Sequence, residues 1–283
     1  MKDVSFGQYY PVKSFVHNLN PALKILFLIA FIVAIFLAKN FYGLAACAFV
    51  LLLIILFSRV PFFKVLRSIR GVLFLVVFTA AINILFHGGE AGGVWASPRA
   101  DENGVYWQWK IFCVSQSGII FSAFLILRLV LLVMCSSMLT YTTSPVALTD
   151  GIEAILTPLK WIRFPVHELA LIMSIALRFI PILTDETERI KNAQKARGAN
   201  FERGGLIGKI KSFIPILVPL LLSAFRRADE LGDAMDARCY SGGKHRTKYK
   251  KLRVTWRDAF LLFFGAALVT GVVLLRTYLG GPL

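Results

Sequence analysis

The sequence predicts an all-α integral membrane protein with about five transmembrane helices and three amphipathic cytoplasmic helices inserted before the last span. Hydrophobic residues make up 57% of the 283 residues, above the roughly 45–50% of average chains, and they gather into long apolar stretches. The net charge is nevertheless +16, because the cations lie between those stretches. A basic nucleic-acid-binding surface needs a soluble domain, so this composition argues against a nucleic-acid partner.

Five apolar stretches are predicted as spans, because a bilayer core of about 30 Å needs roughly 17–25 apolar residues per helix. A short basic loop, 59–70, is expected between the second and third spans, and a small surface hairpin is expected within 87–112. The chain is therefore divided into a four-span membrane domain, 1–139, a cytoplasmic helical region, 140–257, and a last transmembrane helix, 258–283. The five stretches are 22–38, 41–57, 72–86, 117–139 and 258–279.

The distribution of Lys and Arg predicts that the N-terminus is cytoplasmic. With five spans and the N-terminus inside, 27 of the 32 cationic residues fall on the cytoplasmic side. Positive charge concentrates on the cytoplasmic loops of membrane proteins. The basic run 244–253 lies just before the last span, where contact with anionic lipid head groups is expected.

The cytoplasmic region is predicted to hold three helices, of which the two longer ones end in the same way. The predicted helices are 145–156, 165–197 with an interruption at Pro181, and 206–240 with Pro215 and Pro219 inside it. Each long helix carries a stripe at spacings of four and three that ends on an arginine. The stripes are Ile172, Ala176, Phe179, Leu183, Glu186, Ile190, Ala193, Arg197 and Leu217, Leu221, Ala224, Ala228, Leu231, Met235, Arg238.

Arg197 and Arg238 have two interpretations. A cation at a helix C-terminus interacts favourably with the helix dipole, and Gly198 is well placed as a left-handed terminator. The repeated Ala-Arg pair favours a second role: Ala196 and Ala237 allow a partner to approach closely. Each guanidinium could then form a bidentate pair with a carboxylate in a groove of that partner.

The sequence offers no catalytic or metal-binding motif. The Gly-rich run 204–210 has the wrong spacing for a phosphate loop and lacks the Ser or Thr that holds Mg²⁺. Asp233 and Asp236 resemble part of the aspartate motif of membrane phospholipid transferases, but the downstream aspartates are missing. A lipid-modifying membrane enzyme is thus the alternative hypothesis. Arg128, about twelve residues into the fourth span, is a costly intramembrane charge whose partner the sequence does not identify.

Taken in order, these landmarks resemble the transmembrane T component of energy-coupling-factor (ECF) transporters. The resemblance covers essentially the whole chain, including 19–21 before the first span, and departs from the usual Ala-Arg-Gly at Cys239. The segments that carry it are Thr142-Thr-Ser-Pro145, Ala176-Leu-Arg-Phe-Ile-Pro181, Ala193-Gln-Lys-Ala-Arg-Gly198, Phe213-Ile-Pro215, Arg226-Arg-Ala-Asp-Glu-Leu231 and Ala234-Met-Asp-Ala-Arg238.

The resemblance implies a non-catalytic subunit of a prokaryotic cell-membrane importer. The helices of 145–240 would be coupling helices. Ala196-Arg197-Gly198 would dock on one cytoplasmic ABC-type ATPase and Ala237-Arg238-Cys239 on a second. ATP and Mg²⁺ would be bound by those ATPases, with no cofactor on this chain. A small membrane-embedded substrate-binding subunit, the S component, would contact the apolar parts of these helices and deliver a vitamin or metal ion. Arg128, Pro181, Pro215 and Pro219 are the candidates for contact with the S component or with another intramembrane group.

Overall fold

The structure is a computed structural model that describes residues 9–10, 12, 14–86, 105–109, 112–162, 164–199, 206–240, 242 and 255–278. This part of the chain is helical apart from one small antiparallel hairpin, as predicted. The helices are α1 Pro21–Leu37, α2 Phe41–Ser58, α3 Phe62–Ile69, α4 Leu73–Phe86, α5 Gln116–Thr142, α6 Pro145–Leu156, α7 Val166–Ala196, α8 Leu206–Asp236 and α9 Trp256–Tyr278. The hairpin pairs β1 Val105–Trp109 with β2 Phe112–Ser115.

The described chain divides into two compact units, 152–251 and 7–151 with 252–283, and the division falls within α6. The predicted boundaries at residues 140 and 257 stay predictions. Four helices, α2, α5, α7 and α9, are long and apolar enough to cross a membrane, and α3 with α4 passes the same test as one bent pair. The 17-residue α1 is apolar but shorter. The five predicted spans correspond to α1, α2, α4, α5 and α9. The helix α7 also has the length and hydropathy of a span, although it was predicted to be cytoplasmic.

The basic segment 59–70 was wrongly predicted as a loop. Most of it forms α3, which meets α4 at a bend of 56°. Lys64 and Arg67 are three residues apart and share a face, whereas Val65 is fully buried. The cations therefore mark the polar side of an amphipathic helix. Alone, the 14 residues of α4 reach only about 21 Å, and α4 passes the length and composition test for a span only together with α3.

In the unit formed by 7–151 and 252–283, α1 lies at the centre and contacts α2, α5 and α9. Its inner face is buried through Phe31, Ala34 and Ile35, which pack in one cluster with residues of α2, α5 and α9. The close approach of α9 depends on Gly265, where an added Cβ would lie 3.1 Å from Phe27 Cδ2. Small residues allow this proximity where lipid supplies no hydrophobic drive between helices.

A buried polar cluster joins the ends of α1, α5 and α9. Asp258 is 2% exposed, and its two carboxylate oxygens accept hydrogen bonds from the backbone N–H groups of Asn20, at 2.9 Å, and Thr255, at 2.8 Å. Lys24 Nζ donates to the backbone carbonyls of His17 and Thr142, each at 3.1 Å. Each buried charge is therefore satisfied, as burial of ions requires.

Candidate functional site

The two long helices α7 and α8 carry most of the predicted site, and both are continuous. Pro181 lies inside α7, and Pro215 and Pro219 lie inside α8. The predicted interruption at Pro181 is therefore wrong, although each proline lacks the N–H that would bond the carbonyl four residues earlier. Apolar residues in the first half of each helix compensate by favouring a lipid or protein environment, where a helix is the backbone's best-satisfied state.

Both helices end in the same hydrogen-bonding pattern. At the end of α7, Gly198 N–H donates to Lys195 O and Ala199 N–H to Gln194 O, each at 3.0 Å. At the end of α8, Cys239 N–H donates to Asp236 O at 2.8 Å and Tyr240 N–H to Met235 O at 3.1 Å. These paired bonds define a Schellman motif. Arg197 and Arg238 thus occupy the same position, the last residue before the turn.

The residue after each arginine has a left-handed backbone. Gly198 has φ 88°, as expected for a left-handed terminator, and Cys239 has φ 55°. A residue with a Cβ pays a steric cost there that glycine avoids. Cys239 nevertheless adopts the left-handed backbone and the same two hydrogen bonds close the turn. The departure from Ala-Arg-Gly at Cys239 therefore leaves the type of turn unchanged.

The six predicted docking residues are all exposed: Ala196, Arg197, Gly198, Ala237, Arg238 and Cys239. Within the described residues, neither arginine forms an ion pair, since the pairs present are His167–Glu153 and Arg227–Glu186. A helix end normally hides its orphan carbonyls in a cap. Here the cap is complete through backbone bonds alone, which leaves both guanidinium groups available to a partner.

The two helix ends differ in charge. Over matched windows of eleven residues, 188–198 carries a net charge of +3 and 229–239 a net charge of −3. Two matched positions are opposite in sign, Arg189 against Glu230 and Lys195 against Asp236, and all four side chains are exposed. The backbone geometry is therefore shared, whereas the electrostatic surroundings of the two arginines are reversed.

Glu186 connects the predicted stripe of α7 to α8. Its carboxylate lies 3.6 Å from Arg227 Nη2, with both side chains partly exposed. The neighbouring stripe residues Phe179, Leu183 and Ile190 are half-buried, and α7 and α8 contact one another. The middle of the stripe therefore serves the chain's own helix pair, a use the sequence reading did not assign to it.

The N-terminal halves of α7 and α8 expose a large apolar surface. The helix α7 is apolar enough to cross a membrane, yet only 6% of its apolar stretch is buried within the structure. Contiguous exposed apolar surface of this kind marks an interaction with protein or lipid. Its large exposed residues are Leu169, Ile172, Met173, Ile180, Phe213, Ile214, Leu217, Val218, Leu221, Leu222 and Phe225.

Arg128 has a partner that the sequence did not identify. Its Nη2 donates to the backbone carbonyl of Ala38 at 2.7 Å, and its guanidinium lies 4.8 Å from the Phe124 ring centroid. Ala38 is the C-cap of α1. With 17 residues, α1 is about 26 Å long, shorter than the apolar core of a bilayer. Its end carbonyl therefore needs a protein donor, which Arg128 supplies.

The fold and the site define a class: a multi-span helical membrane protein whose two long helices, α7 and α8, end in matched arginines. The sequence profile described as cobalt transport protein, CbiQ, matches residues 12–249. The chain is 45% identical over 99% of both chains to the energy-coupling factor transporter transmembrane protein EcfT of Clostridium kluyveri. It is 42% identical to that of Ruminiclostridium cellulolyticum, over 98% of both chains. With that of Brevibacillus brevis it shares 44% identity, over 98% of this chain and 100% of the relative.

The chain belongs to the EcfT family, the transmembrane components of ECF transporters. The predicted resemblance is thereby confirmed. The prediction of a membrane transport component with several apolar helices is also confirmed.

Proposed function

We propose that this chain is the non-catalytic coupling subunit of an ECF-type ATP-driven importer. It transmits conformational changes of two ABC-type ATPases to a membrane-embedded S component that takes up a vitamin or another micronutrient. The observation that carries the proposal is the pair of matched Schellman ends, each presenting one exposed arginine that has no ion pair among the described residues. ATP and Mg²⁺ are bound by the ATPases, and this chain needs no cofactor.

Each arginine end is suited to a narrow groove that contains a carboxylate. Ala196 and Ala237 precede the arginines and add little bulk, and the turn that follows directs the chain away from the helix axis. A guanidinium fork pairs bidentately with a carboxylate, and such pairs gain most when a partner excludes water around them. Ala196, Arg197 and Gly198 dock on one ATPase, and Ala237, Arg238 and Cys239 on the other.

The charge contrast supports docking on two grooves that are not identical. An end with net charge +3 favours acidic surroundings, and one with −3 favours basic surroundings around the same central carboxylate. Charges at the rim of an interface set partner choice more than total affinity. Lys195 and Asp236 are the matched residues nearest the two arginines, so they carry most of this discrimination.

The apolar halves of α7 and α8 form the contact surface for the S component. Ile172 is 60% and Leu222 63% exposed, so this surface has room for a hydrophobic partner. Pro181, Pro215 and Pro219 lie within the same halves and leave carbonyls unbonded, which makes these segments the ones most easily bent. Arg128 is predicted to contact either the S component or an intramembrane group, and its bond to the Ala38 carbonyl favours the second of these.

The orientation follows from the same proposal. The N-terminus is cytoplasmic and the chain is a multi-pass protein of a prokaryotic cell membrane, so that both arginine ends face the ATPases. Basic residues before α9 contact anionic lipids, and nucleic acid is not a partner.

The alternative, a membrane-embedded lipid-modifying enzyme, gains no support from the geometry. Asp233 and Asp236 are exposed near the end of α8. Among the described residues, no group of three or more His, Cys, Asp or Glu side chains could hold a metal ion. Turnover of a lipid substrate by the purified chain alone would favour the enzyme.

A pull-down of the tagged full-length chain from native membranes, followed by mass spectrometry, tests the proposal. The expected result is two ABC-type ATPases together with one or more small apolar membrane proteins, whose identity would indicate the substrate. Recovery of the chain without any ATPase would contradict it.

A further inference from the structure

The membrane unit contains a cavity of about 700 Å³ between α1, α2, α5 and α9, which the transport function leaves unassigned. Its walls are apolar and include Leu28, Leu51, Met138, Leu261 and Phe264. The volume lies within the roughly 300–1,000 Å³ typical of small-molecule sites. The cavity is partly open, not an enclosed void. Its apolar walls offer water almost no hydrogen-bonding partners, so they favour a hydrocarbon occupant.

The position of the cavity points to a lipid at one membrane surface. Its walls come from the N-terminal parts of α1 and α9 and the C-terminal parts of α2 and α5. These four helix ends belong to one side of the membrane, which the distribution of Lys and Arg predicts to be cytoplasmic. The exposed Trp256 at the start of α9 is a residue type that favours the head-group level.

Two arginine side chains line this cavity and a neighbouring one. Arg257 lines it, and its guanidinium lies 5.6 Å from the ring centroid of Phe15, another lining residue. Phe15 and Phe57 also line an adjoining cavity of about 320 Å³, which includes Arg59. Both arginines are exposed, and no carboxylate is among the described residues that line the two cavities. Asp258, next to Arg257, is buried and already accepts two backbone hydrogen bonds.

We propose that this cavity binds one anionic phospholipid, with an acyl chain between the four helices and its phosphate held by Arg257 and Arg59. The apolar walls select a hydrocarbon chain, and the two exposed arginines select a negative head group. Lys24 also lines the cavity, but its amine already donates to the backbone carbonyls of His17 and Thr142. It therefore holds the wall together and leaves the head group to the arginines.

Native mass spectrometry of the purified full chain tests the proposal, after equilibration with equal amounts of phosphatidylglycerol and phosphatidylcholine. Leu261→Trp fills the cavity, and Leu262→Trp, at an exposed neighbouring position that does not line it, is the matched control. Arg257→Gln with Arg59→Gln removes the head-group contacts. Arg276→Gln, at the other end of α9, is its control.

The wild type and both controls are expected to retain one phosphatidylglycerol per chain. Leu261→Trp should lower that retention at least tenfold, and each removed arginine should lower the preference for phosphatidylglycerol about fivefold. Equal retention in Leu261→Trp and Leu262→Trp would overturn the proposal. So would an unchanged lipid preference in the double arginine variant, or a polypeptide that co-purifies in place of the lipid.

Discussion

Cys239 shows how one residue can keep a turn at a local energetic cost. Its φ of 55° lies where a side chain costs about 1–2 kcal/mol, and the matched residue of the other helix is Gly198. The turn forms because two backbone bonds close it. The preceding arginine therefore keeps its position although the third residue of the motif differs.

Replacing Cys239 by glycine should relieve this cost without moving Arg238. We expect Cys239→Gly to slow hydrogen exchange of the Tyr240 amide about fivefold, which corresponds to roughly 1 kcal/mol of local stability. Gly198→Ala is the reciprocal control and should accelerate exchange at Ala199. Hydrogen exchange of the full chain, measured by mass spectrometry, tests this prediction. An exchange rate of the Tyr240 amide that is the same in Cys239→Gly and the wild type would contradict it.

Arg128 acts at the same scale, as the donor to the end of α1. Arg128→Met leaves the Ala38 carbonyl without this donor, which should lower stability by about 1–3 kcal/mol. Arg128→Lys should recover part of the loss, because an ammonium also donates. Thermal unfolding of the purified chain measures the effect, with Arg276→Met as a control. A melting temperature of Arg128→Met equal to that of the wild type would mean that the bond has no structural role.

At the scale of elements, some features were predictable from the sequence because their signals are local. The ends of α7 and α8 follow from short patterns, an apolar stripe and a repeated Ala-Arg pair. The sequence did not predict α3, because Lys64 and Arg67 also fit a basic cytoplasmic loop. Their spacing of three residues, with Val65 on the buried side, is the pattern of an amphipathic helix.

Contacts between distant segments could not be predicted in this way. Arg128 meets Ala38 across ninety positions of the chain, and Asn20 meets Asp258 across 238. Periodicity reports which face of a helix is apolar but carries no information on which backbone carbonyl lies opposite. The shared turn geometry at Cys239 was equally hidden, because cysteine is not a residue type that favours a left-handed backbone.

The opposite charges of the two helix ends lead to a prediction about α7 and α8 as elements. Lys195→Asp lowers the net charge of the α7 end from +3 to +1, and Asp236→Lys raises that of the α8 end from −3 to −1. We expect each substitution to weaken ATPase association about tenfold at low salt. Raising the salt concentration should reduce the difference, because exposed charges are screened. Affinity measurements with purified ATPases test this, with Lys195→Arg and Asp236→Glu as charge-preserving controls.

If the reversed variants bind like these controls, the two ends are not distinguished by charge. Docking through Arg197 and Arg238 would still stand, since it depends on the arginines themselves and not on their surroundings.

At the scale of the whole molecule, the two units have different tasks. The unit of 7–151 and 252–283 is stabilised by a shared apolar core and by buried charges that have partners within it. Among its described residues, the unit of 152–251 instead exposes apolar side chains along the first parts of α7 and α8 and, at the ends of these helices, arginines without an ion pair. The first unit is therefore stabilised by its own core, whereas the second offers surfaces suited to the partners proposed above.

The most direct test of the docking role is the amount of ATPase that co-purifies with the double variant Arg197→Ala, Arg238→Ala. We predict a loss of at least a hundredfold relative to the wild type, since truncating one partner of a buried charge pair costs about 2–5 kcal/mol. Membrane insertion should be unchanged, and Arg226→Ala, at an exposed position of α8, should retain the ATPases. Normal ATPase recovery and normal uptake by the double variant would contradict the account.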